Sequence, residues 1–293
     1  MFSKAYEIAR CFTQPVIISM RFFDKSVECA VGAFIVLNED GWIATAAHIW
    51  HTFLAFQKHR RELANYEVQL NAIRQDSSLI EKQKKQKQKH LKTNSKWITN
   101  HSFWWGRDNV KLRDVKALPA ADILVGRLEP FDKSWINVYP TIKDPTKNMI
   151  PGTSLCKLGF PFHEVKATFD ESTNSFKLDS RAVPVPLFPI EGIYTRNLIT
   201  GKTKDGKFEI KFLETSSPGL RGQSGGPIFD INGTIWAIQS RTHHFLLGFS
   251  PKVKKDGKEV EENQFLNAGL GIHPELLVAF LQDNGISFNI SSY

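Results

Sequence analysis

The chain has 293 residues, 41% of them hydrophobic and 23% charged, which is typical of a soluble globular protein with a substantial core. Its longest apolar runs fall far short of the roughly 20 residues that a membrane-spanning helix needs, so an α-helical membrane protein is excluded. The formal net charge is +8, but residues 57–96 hold 11 Lys or Arg and 4 Asp or Glu, whereas the rest holds 27 and 26. The basic character therefore belongs to one segment.

The N-terminus and the cysteines bear on the cellular compartment. Charged residues interrupt the apolar pieces of the first 25 residues, so no secretory signal is predicted. The three cysteines, Cys11, Cys29 and Cys156, lack CxxC or histidine-rich spacing, which argues against a disulfide framework and against a zinc site. We expect an intracellular, cytoplasmic protein that uses no metal and no other cofactor.

Short apolar or β-branched runs between turn residues predict strands in two series. The predicted strands are 16–23, 30–37, 42–46, 155–159, 193–199, 208–213, 227–230 and 234–240. Asn38 to Gly41 predicts one hairpin turn, and Asn232-Gly233 predicts another of type I′. Many short strands with few helices indicate barrels or a sandwich, and two series indicate two barrels.

A long segment without Gly or Pro interrupts the first series. Its apolar residues follow heptad spacing at Phe56, Leu63, Tyr66, Leu70, Ile73 and Ile80. This spacing predicts a helix from Ile49 to Ile80, about 48 Å long. It ends in a lysine- and glutamine-rich run, Glu81 to Lys92, that has almost nothing to bury. The apolar seam is expected either to pack on that run or on the protein body, or to bind a partner.

Two further segments lie near the C-terminus. Pro274 to Gln282 predicts a short helix, with proline in its first turn and Gly285 just beyond its end. Residues 250–262 predict an exposed hairpin tip or loop.

A glycine-rich motif, GQSGGP at residues 222–227, offers a nucleophile. A serine hydroxyl is a weak nucleophile near neutral pH, so it needs a base and a site for the oxyanion that it generates. Gly222 lacks a Cβ, so its N–H and that of Ser224 can turn toward one point. Gly225 and Gly226 allow close approach of a substrate backbone. The alternative is a glycine-rich turn with an incidental serine.

A histidine and a carboxylate complete the set. His48 ends the motif TAAH directly after a predicted strand, where its ring can face a cleft. Asp122 opens the apolar run DILVGRL, and burial there makes its hydrogen bond to the histidine directional. It is the only acid between His48 and Ser224 that leads such a run. Asp108 and Asp114 lie in polar surroundings and are weaker candidates.

TAAH, DILVGRL and GQSGGP, in this order, resemble the trypsin-like (chymotrypsin-fold) serine peptidases, especially their bacterial and HtrA-type branches. Subtilisins and α/β-hydrolases place their triads in other orders. The resemblance implies an all-β double β-barrel with His48 as general base and Asp122 orienting it. Ser224 is then the nucleophile, and the amides of Gly222 and Ser224 form the oxyanion hole.

The resemblance also implies an organisation for the chain. We expect a single peptidase domain over residues 1–293. Its first barrel spans about 15–145 and is interrupted by the basic helical insertion at 49–96. The second barrel spans about 150–272, and a helix follows at 273–284. Because only about 20 residues follow Ile272, we expect no PDZ domain of the HtrA kind.

Substrate contacts are expected around the nucleophile. Ser240 matches a position near the buried aspartate, and Arg241 and Thr242 are expected to line the cleft and pair with substrate backbone, opposite 267–272. Pro218 stands where trypsin has the acid that binds Lys or Arg, so a small or apolar preference is expected instead. Arg221 and Arg241, with two nearby histidines, leave an acidic preference open. Gln223 replaces the aspartate of zymogen activation, so that switch is not expected.

The function expected from these residues is serine endopeptidase activity on protein substrates, through an acyl-enzyme and regulated through the helical insertion. The alternative is a catalytically idle scaffold that binds protein partners. Residues 53–92 are the expected surface for a regulatory protein or for self-association. Nucleic-acid binding by the lysine-rich run is not expected, because no aromatic residues are interleaved to stack on bases.

Overall fold

Short apolar runs separated by turns build a first, six-stranded sheet in the computed structural model, which describes residues 1–293. Its strands are β1 Thr13–Phe22, β2 Val27–Val36, β3 Trp42–Ala46, β4 Ile98–Trp105, β5 Lys111–Leu118 and β6 Ile123–Glu129. They lie in the antiparallel order β4-β1-β2-β3-β6-β5 and form a half-barrel. Strand β2 pairs with β3 only at Ile35 and Val36, so the part of its second edge before Ala33 has no strand partner.

A second sheet of eight strands follows. The remaining strands are β7 Thr141–Ile142, β8 Ser154–Gly159, β9 Ala167–Asp170, β10 Ser175–Leu178, β11 Phe188–Lys202, β12 Glu209–Thr215, β13 Pro227–Phe229, β14 Ile235–Leu246, β15 Lys252–Lys255, β16 Lys258–Glu261, β17 Phe265–Ile272 and β18 Asn289–Ile290. The sheet has the order β13-β8-β11-β12-β17-β14-β7-β18. Because β13 also pairs with β14, six of these strands are paired in a closed circuit. Strands β9 with β10, and β15 with β16, form separate hairpins.

Four α-helices accompany the sheets: α1 Ser3–Phe12, α2 His51–Gln75, α3 Glu81–Lys89 and α4 Pro274–Asp283. The largest apolar core joins both sheets and includes Phe12 of α1 and Leu277 of α4. No helix is both long enough and apolar enough to span a membrane. This all-β architecture with few helices is consistent with the chymotrypsin-like fold that the motifs imply. The division of the chain at about residue 150 stays a prediction.

The basic segment after His48 differs from the single helix that its spacing predicts. Helix α2 ends at Gln75, and α3 begins only at Glu81. The Asp76 side chain accepts hydrogen bonds from the Ser78 amide at 3.0 Å and from its hydroxyl at 2.5 Å. Such a turn competes with helical hydrogen bonding, so the helix ends there.

Helix α2 packs against the first sheet along strand β4. The Phe56 ring stacks on His101 with centroids 5.8 Å apart, and the Tyr66 ring meets Trp97 edge-on at 6.3 Å. The Ile98 amide donates a hydrogen bond to His59 Nδ1 at 3.0 Å. The protein body therefore covers part of the apolar seam, although no residue of α2 is fully buried.

Two local predictions were wrong or incomplete. In the β13–β14 hairpin, Gly233 has a positive φ of 80° but Asn232 does not, so the turn is not type I′. The Gly233 amide donates to Asp230 O at 3.0 Å, and the Asp230 amide donates to Thr234 O at 3.0 Å, so the loop is one residue longer. Helix α1 was not predicted, although Ala5, Ala9 and Phe12 are fully buried on one face.

The cysteines are all free thiols. Cys11 and Cys29 are half-buried, and Cys156 is buried in β8. Burial raises the pKa of the Cys156 thiol to about 11, which keeps it protonated near neutral pH. An intracellular location stays a prediction.

Strand β8 contains a lysine with no access to solvent. The Lys157 side chain is 0% exposed, and its Nζ donates hydrogen bonds to the carbonyl oxygens of Ser217 and Pro218. No carboxylate pairs with it. Burial lowers the pKa of Lys157 to about 7, because the charged form loses its hydration.

We expect the free energy of unfolding of the wild type to increase, relative to Lys157→Met, as the pH rises from about 7 to about 10. In that range an unfolded lysine keeps its proton, whereas folded Lys157 releases it, so raising the pH favours the folded state. The gain is up to about 1.4 kcal/mol per pH unit. Urea unfolding at pH 7, 8 and 9 measures it. Lys111→Met, at an exposed lysine, is the matched control. If the difference in free energy of unfolding between the wild type and Lys157→Met does not change with pH, the prediction is contradicted.

Candidate active site

His48 lies at the start of the insertion, in the turn that directly follows strand β3. The strand ends at Ala46, and residues Ala47–Trp50 form a 3₁₀ turn that leads directly into α2. The small side chains of Ala46 and Ala47 are buried, which lets the turn approach strand β6 closely. The Ala47 amide donates to Asp122 O at 2.9 Å, so the backbone on both sides of the site is fixed.

Asp122 turns its carboxylate to His48 from a constrained backbone position. It has φ 58° and ψ 31°, the left-handed region that aspartate tolerates better than most residues, and stands immediately before β6. Its Oδ1 accepts from the His48 amide at 2.8 Å, and its Oδ2 lies 2.9 Å from His48 Nδ1. The carboxylate thus holds both the backbone and the ring of His48.

A third donor reaches the same carboxylate from the second sheet. Ser240, in β14, donates its hydroxyl to Asp122 Oδ2 at 2.5 Å, and both residues are buried. Burial alone raises the pKa of Asp122, but the hydrogen bonds from His48 and Ser240 outweigh it and hold the pKa below its usual value. Asp122 is therefore ionised near neutral pH.

Ser224 lies in a tight glycine turn between the two sheets. Its carbonyl accepts from the Ala33 amide of β2 at 2.8 Å, which ties the loop to the first sheet. A methyl group on Gly225 would lie 2.1 Å from Ala33 O and from Thr45 Oγ1. Gly225 has φ 84°, so both its conformation and its surroundings require glycine.

The two amides expected to bind an oxyanion have no partner within the protein. Gly222 and Ser224 stand outside helices and strands, and neither N–H donates a hydrogen bond to any backbone or side-chain acceptor. Gly222 has φ 94°, and a methyl group there would lie 2.3 Å from Phe160 O. Because amides within a fold are almost always paired, two free ones separated by a single residue are suited to an anionic ligand.

Ser224 and His48, the predicted nucleophile and base, are not hydrogen-bonded to each other. Ser224 Oγ donates its one hydrogen bond to Ser240 O, at a long 3.5 Å. His48 directs Nδ1 to Asp122, and its side chain is 39% exposed to the cleft. Catalytic hydrogen bonds are often long or absent before substrate binds, so this arrangement is compatible with a triad.

Both residues line a single cleft of about 690 Å³ between the sheets. Gly222 and Arg221 line it on one side, and Ile49 and Thr52 on the side of the insertion. A third wall, residues 160–165 after β8, was not predicted from the sequence, because it contains no catalytic motif. An adjoining hollow of about 740 Å³ shares Cys29, Glu164 and Val165 with the cleft but contains none of the three catalytic candidates.

The expected substrate-contact residues occupy different environments. Ser240 is buried, and its side chain serves Asp122. Arg241 places its guanidinium over the Phe212 ring, 4.8 Å from the centroid, although the residue remains exposed. Pro218 accepts from Lys157 through its carbonyl. Thr242 hydrogen-bonds Gly219 across the loop.

A buried glutamine stands directly before the nucleophile. Gln223 is 0% exposed, and its Oε1 accepts from the Leu220 amide at 3.0 Å, which closes the turn ahead of Ser224. Its Nε2 is buried without a hydrogen-bond partner. The residue therefore shapes the loop and contributes no charge to it.

No protein-family model matches the sequence, and no curated protein matches it. The fold is similar to that of the Rv3671c protease from M. tuberculosis in its active form, with a TM-score of 0.48 and 11% identity over 98% of this chain and 86% of that chain. It is also similar to the HtrA-type protease AlgW with a tripeptide, with a TM-score of 0.48 and 13% identity. That match covers 97% of this chain and 63% of the AlgW chain, so this chain spans less than two thirds of AlgW. With TM-scores below 0.5, these similarities carry no argument about the activity of this chain.

We expect Ser240→Ala to lower the free energy of unfolding by about 1.5–3 kcal/mol at pH 7, the usual effect of removing a buried hydrogen bond to a charged group. The folded pKa of Asp122 is depressed, so the stability that its carboxylate confers is complete above the unfolded pKa of about 3.9. That stability is lost as the pH falls through the folded pKa of Asp122. The difference in free energy of unfolding between Ser240→Ala and the wild type therefore becomes smaller there. Urea unfolding at pH 7 and below pH 4 measures both effects.

Ser240→Thr keeps the hydroxyl and is the matched control for this prediction. Equal stability of Ser240→Ala and wild type at pH 7 contradicts it.

Proposed function

We propose that this chain is a serine endopeptidase of the trypsin-like type that cuts protein substrates through an acyl-enzyme on Ser224. The supporting observation is one constellation: His48 hydrogen-bonded to Asp122, and two unpartnered amides, around a cleft that also contains Ser224. A binding module has no need of this combination. The order of the three residues along the chain supports the same family of chemistry.

The hydrogen bonds assign a role to each nitrogen of His48. An ionised carboxylate only accepts hydrogen bonds, so Nδ1 facing Asp122 bears the proton and Nε2 of the neutral ring is left as the base. Nε2 takes the proton of Ser224 Oγ as this oxygen attacks the substrate carbonyl. The amides of Gly222 and Ser224 then bind the oxyanion, and His48 gives its proton to the leaving amine. Water repeats the sequence and releases the acyl group.

Ser224 must release its hydrogen bond to Ser240 O before it can take part in these steps. Its present hydrogen bond, to Ser240 O, is at the outer limit of such contacts and stabilises the side chain little. Rotation about its Cα–Cβ bond moves the hydroxyl away from β14. Substrate in the cleft is proposed to favour the rotamer that faces His48.

The extent of the cleft supports internal cleavage of a chain. The cleft shares Cys29, Glu164 and Val165 with the adjoining hollow, which Val27 and Glu28 of β2 also line. We propose that a substrate chain extends from the cleft into this hollow, as an endopeptidase requires. We propose two barrels about this cleft, over about 15–145 and 150–272.

A second candidate is a catalytically idle scaffold that binds protein partners. The absence of a Ser224–His48 hydrogen bond favours it, because an idle protein has no reason to align the two. An idle scaffold does not explain why the amides of both Gly222 and Ser224 remain unpartnered.

Fluorophosphonate labelling separates the two functions. We expect the wild type to label at Ser224, with labelling abolished by Ser224→Ala and reduced at least a hundredfold by His48→Ala. Asp122→Asn should reduce peptide hydrolysis by about 10⁴-fold, the loss typical of such triads when the histidine adopts the wrong tautomer. Intact-mass measurement and hydrolysis of a quenched casein substrate report these results.

Ser175→Ala, at an exposed hairpin serine, controls for incidental labelling. A folded wild type that never labels at Ser224 contradicts the peptidase and leaves the scaffold. Near-normal turnover of Asp122→Asn contradicts the role proposed for Asp122 but leaves the peptidase proposal in place.

We also propose that the insertion regulates the enzyme through the turn that contains His48. Trp50, in this turn, stacks on Phe103 of β4 with centroids 5.0 Å apart and planes 3° from parallel. Thr52 hydrogen-bonds His101 Nε2 at 3.0 Å, and burial lowers the pKa of His101 to about 4, which keeps this ring neutral. A protein partner or second copy that binds 53–92 is proposed to act through these contacts.

We expect Phe56→Ala to loosen this attachment and reduce turnover, because Phe56 stacks on His101 at the start of α2. A 1 Å displacement of a catalytic base costs on the order of a hundredfold in rate. Hydrogen exchange of residues 47–52, followed together with hydrolysis, measures the coupling. Leu54→Ala, on the exposed side of the same helix, should change neither. Faster exchange in Phe56→Ala with undiminished turnover contradicts the proposal.

A further inference from the structure

The segment Ser217–Gly222, which we call the oxyanion loop, contains the Gly222 amide that is proposed to bind the oxyanion. The loop has no helix or strand of its own, so its position depends on contacts from other residues. Thr242 hydrogen-bonds both polar groups of the Gly219 backbone, at 2.7 and 3.0 Å, and the Phe160 amide donates to Gly222 O at 2.9 Å. These contacts hold the middle and the end of the loop.

The start of the oxyanion loop is held by Lys157 of β8. Its Nζ donates hydrogen bonds to Ser217 O and, at 3.0 Å, to Pro218 O. Ser217 O also accepts from the Gly269 amide at 2.8 Å and from the Thr215 hydroxyl at 3.2 Å. Pro218 O accepts from Lys157 alone. Lys157 is therefore the only hydrogen-bonded anchor of Pro218.

A neutral amine suits the position of Nζ better than an ammonium group. The Lys157 side chain has no access to solvent, and no carboxylate pairs with it. An amine has two N–H groups, which match the two carbonyl oxygens, whereas an ammonium has three. The third N–H would be buried without an acceptor, and the charge would be buried without a counter-ion. The same burial lowers the pKa of Lys157 to about 7.

The elements packed around Nζ supply no charge that could pair with it. A methyl group on Gly269 of β17 would collide with both Nζ and Thr215 Oγ1 of β12, so these two strands lie directly against the amine. The ionisable side chains of β8, β11, β12 and the loop are exposed, paired with another residue or kept neutral by burial. Among them, Glu191, Glu209 and Arg221 are exposed, Glu214 binds Arg196, and Cys156 is a protonated thiol.

We propose that Lys157 is a positioning residue for the oxyanion amide of Gly222. As a neutral amine it holds the start of the oxyanion loop against β8, and the loop opens when the amine takes up a proton. The proposal rests on the proposed function, because it names how the oxyanion site of that function is controlled. Lys157 lies behind the loop and acts only through it.

The direction of the pH dependence follows from the burial of Lys157. Opening of the loop lets water reach Nζ, and a hydrated lysine has a pKa of about 10.4. Between about pH 7 and 10 the open form therefore binds a proton that the closed form does not, so a falling pH favours opening. Each pH unit changes the ratio of open to closed loop by up to about tenfold. Below about pH 7 both forms are protonated, and the ratio stops changing.

Hydrogen exchange of the loop at pH 7, 8 and 9 tests this link to the proton. The amides of Gly219, Leu220 and Gln223 are hydrogen-bonded, and their protection is measured against an unstructured peptide at the same pH. For the wild type we expect this protection to rise with pH, by up to about tenfold per unit. Lys157→Met and Lys157→Gln cannot take up the proton, so their loop protection should not change with pH.

Lys111→Met, at an exposed lysine, is the matched control and should follow the wild type. Wild-type protection that stays constant from pH 7 to 9 overturns the proposal, and so does an equal rise in the two Lys157 variants. Loop amides that exchange no faster than the paired amides of β8 also overturn it, because Lys157 is then exposed only when the whole protein unfolds.

Turnover tests whether the loop positions Gly222. We expect the kcat of the wild type, relative to Lys157→Gln at the same pH, to rise between pH 7 and 9, because an open loop withdraws the Gly222 amide from the oxyanion. The oxyanion forms only after attack on the substrate, so KM should change little. The ratio at each pH removes the titration of His48, which both proteins share. A kcat ratio that is constant with pH overturns the positioning role.

Fluorophosphonate labelling separates failure of this proposal from failure of the proposed function. Hydrogen exchange needs no turnover, so it tests Lys157 even in a protein that never labels at Ser224. A wild type that labels normally but whose loop protection is constant with pH overturns this proposal alone. A wild type that never labels overturns the peptidase, and the positioning role of Lys157 with it.

Discussion

The Asp122 carboxylate is the contact on which the site depends. It accepts from the His48 amide and lies against the His48 ring within the first sheet, and it accepts from Ser240 of the second sheet. One buried anion therefore fixes His48, the proposed base, and joins the sheets across the cleft. A buried charge without these donors is costly, so sheet packing and catalytic geometry depend on each other.

Much of this arrangement follows from local sequence. Small residues before His48 let the turn approach Asp122, and the glycines around Ser224 permit positive φ where the chain passes between sheets. The coarse all-β architecture was predicted and is confirmed. Apolar periodicity did not reveal where α2 ends, because the turn at Asp76 is made by side-chain hydrogen bonds, although Asp76 and two following serines are a recognisable signal for it.

Local patterns in the sequence could not predict contacts between distant residues. The bond from Ser240 to Asp122 joins residues 118 positions apart, and a resemblance suggested it where periodicity could not. The burial of Lys157 in β8 contradicts the usual exposure of lysine, so no pattern indicates it. The hydrogen bonds between Thr242 and Gly219 likewise depend on how a loop meets β14, since a threonine in a strand gives no sign of its partner.

The central claim is that Ser224 and His48 act as one catalytic unit despite the absence of a hydrogen bond between them. Comparison of the single variants Ser224→Ala and His48→Ala with the double variant, by kcat/KM for one peptide substrate, tests this most directly. Residues that act as a unit are not additive, so the double variant should be no slower than the slower single variant. Losses that multiply in the double variant would contradict the account.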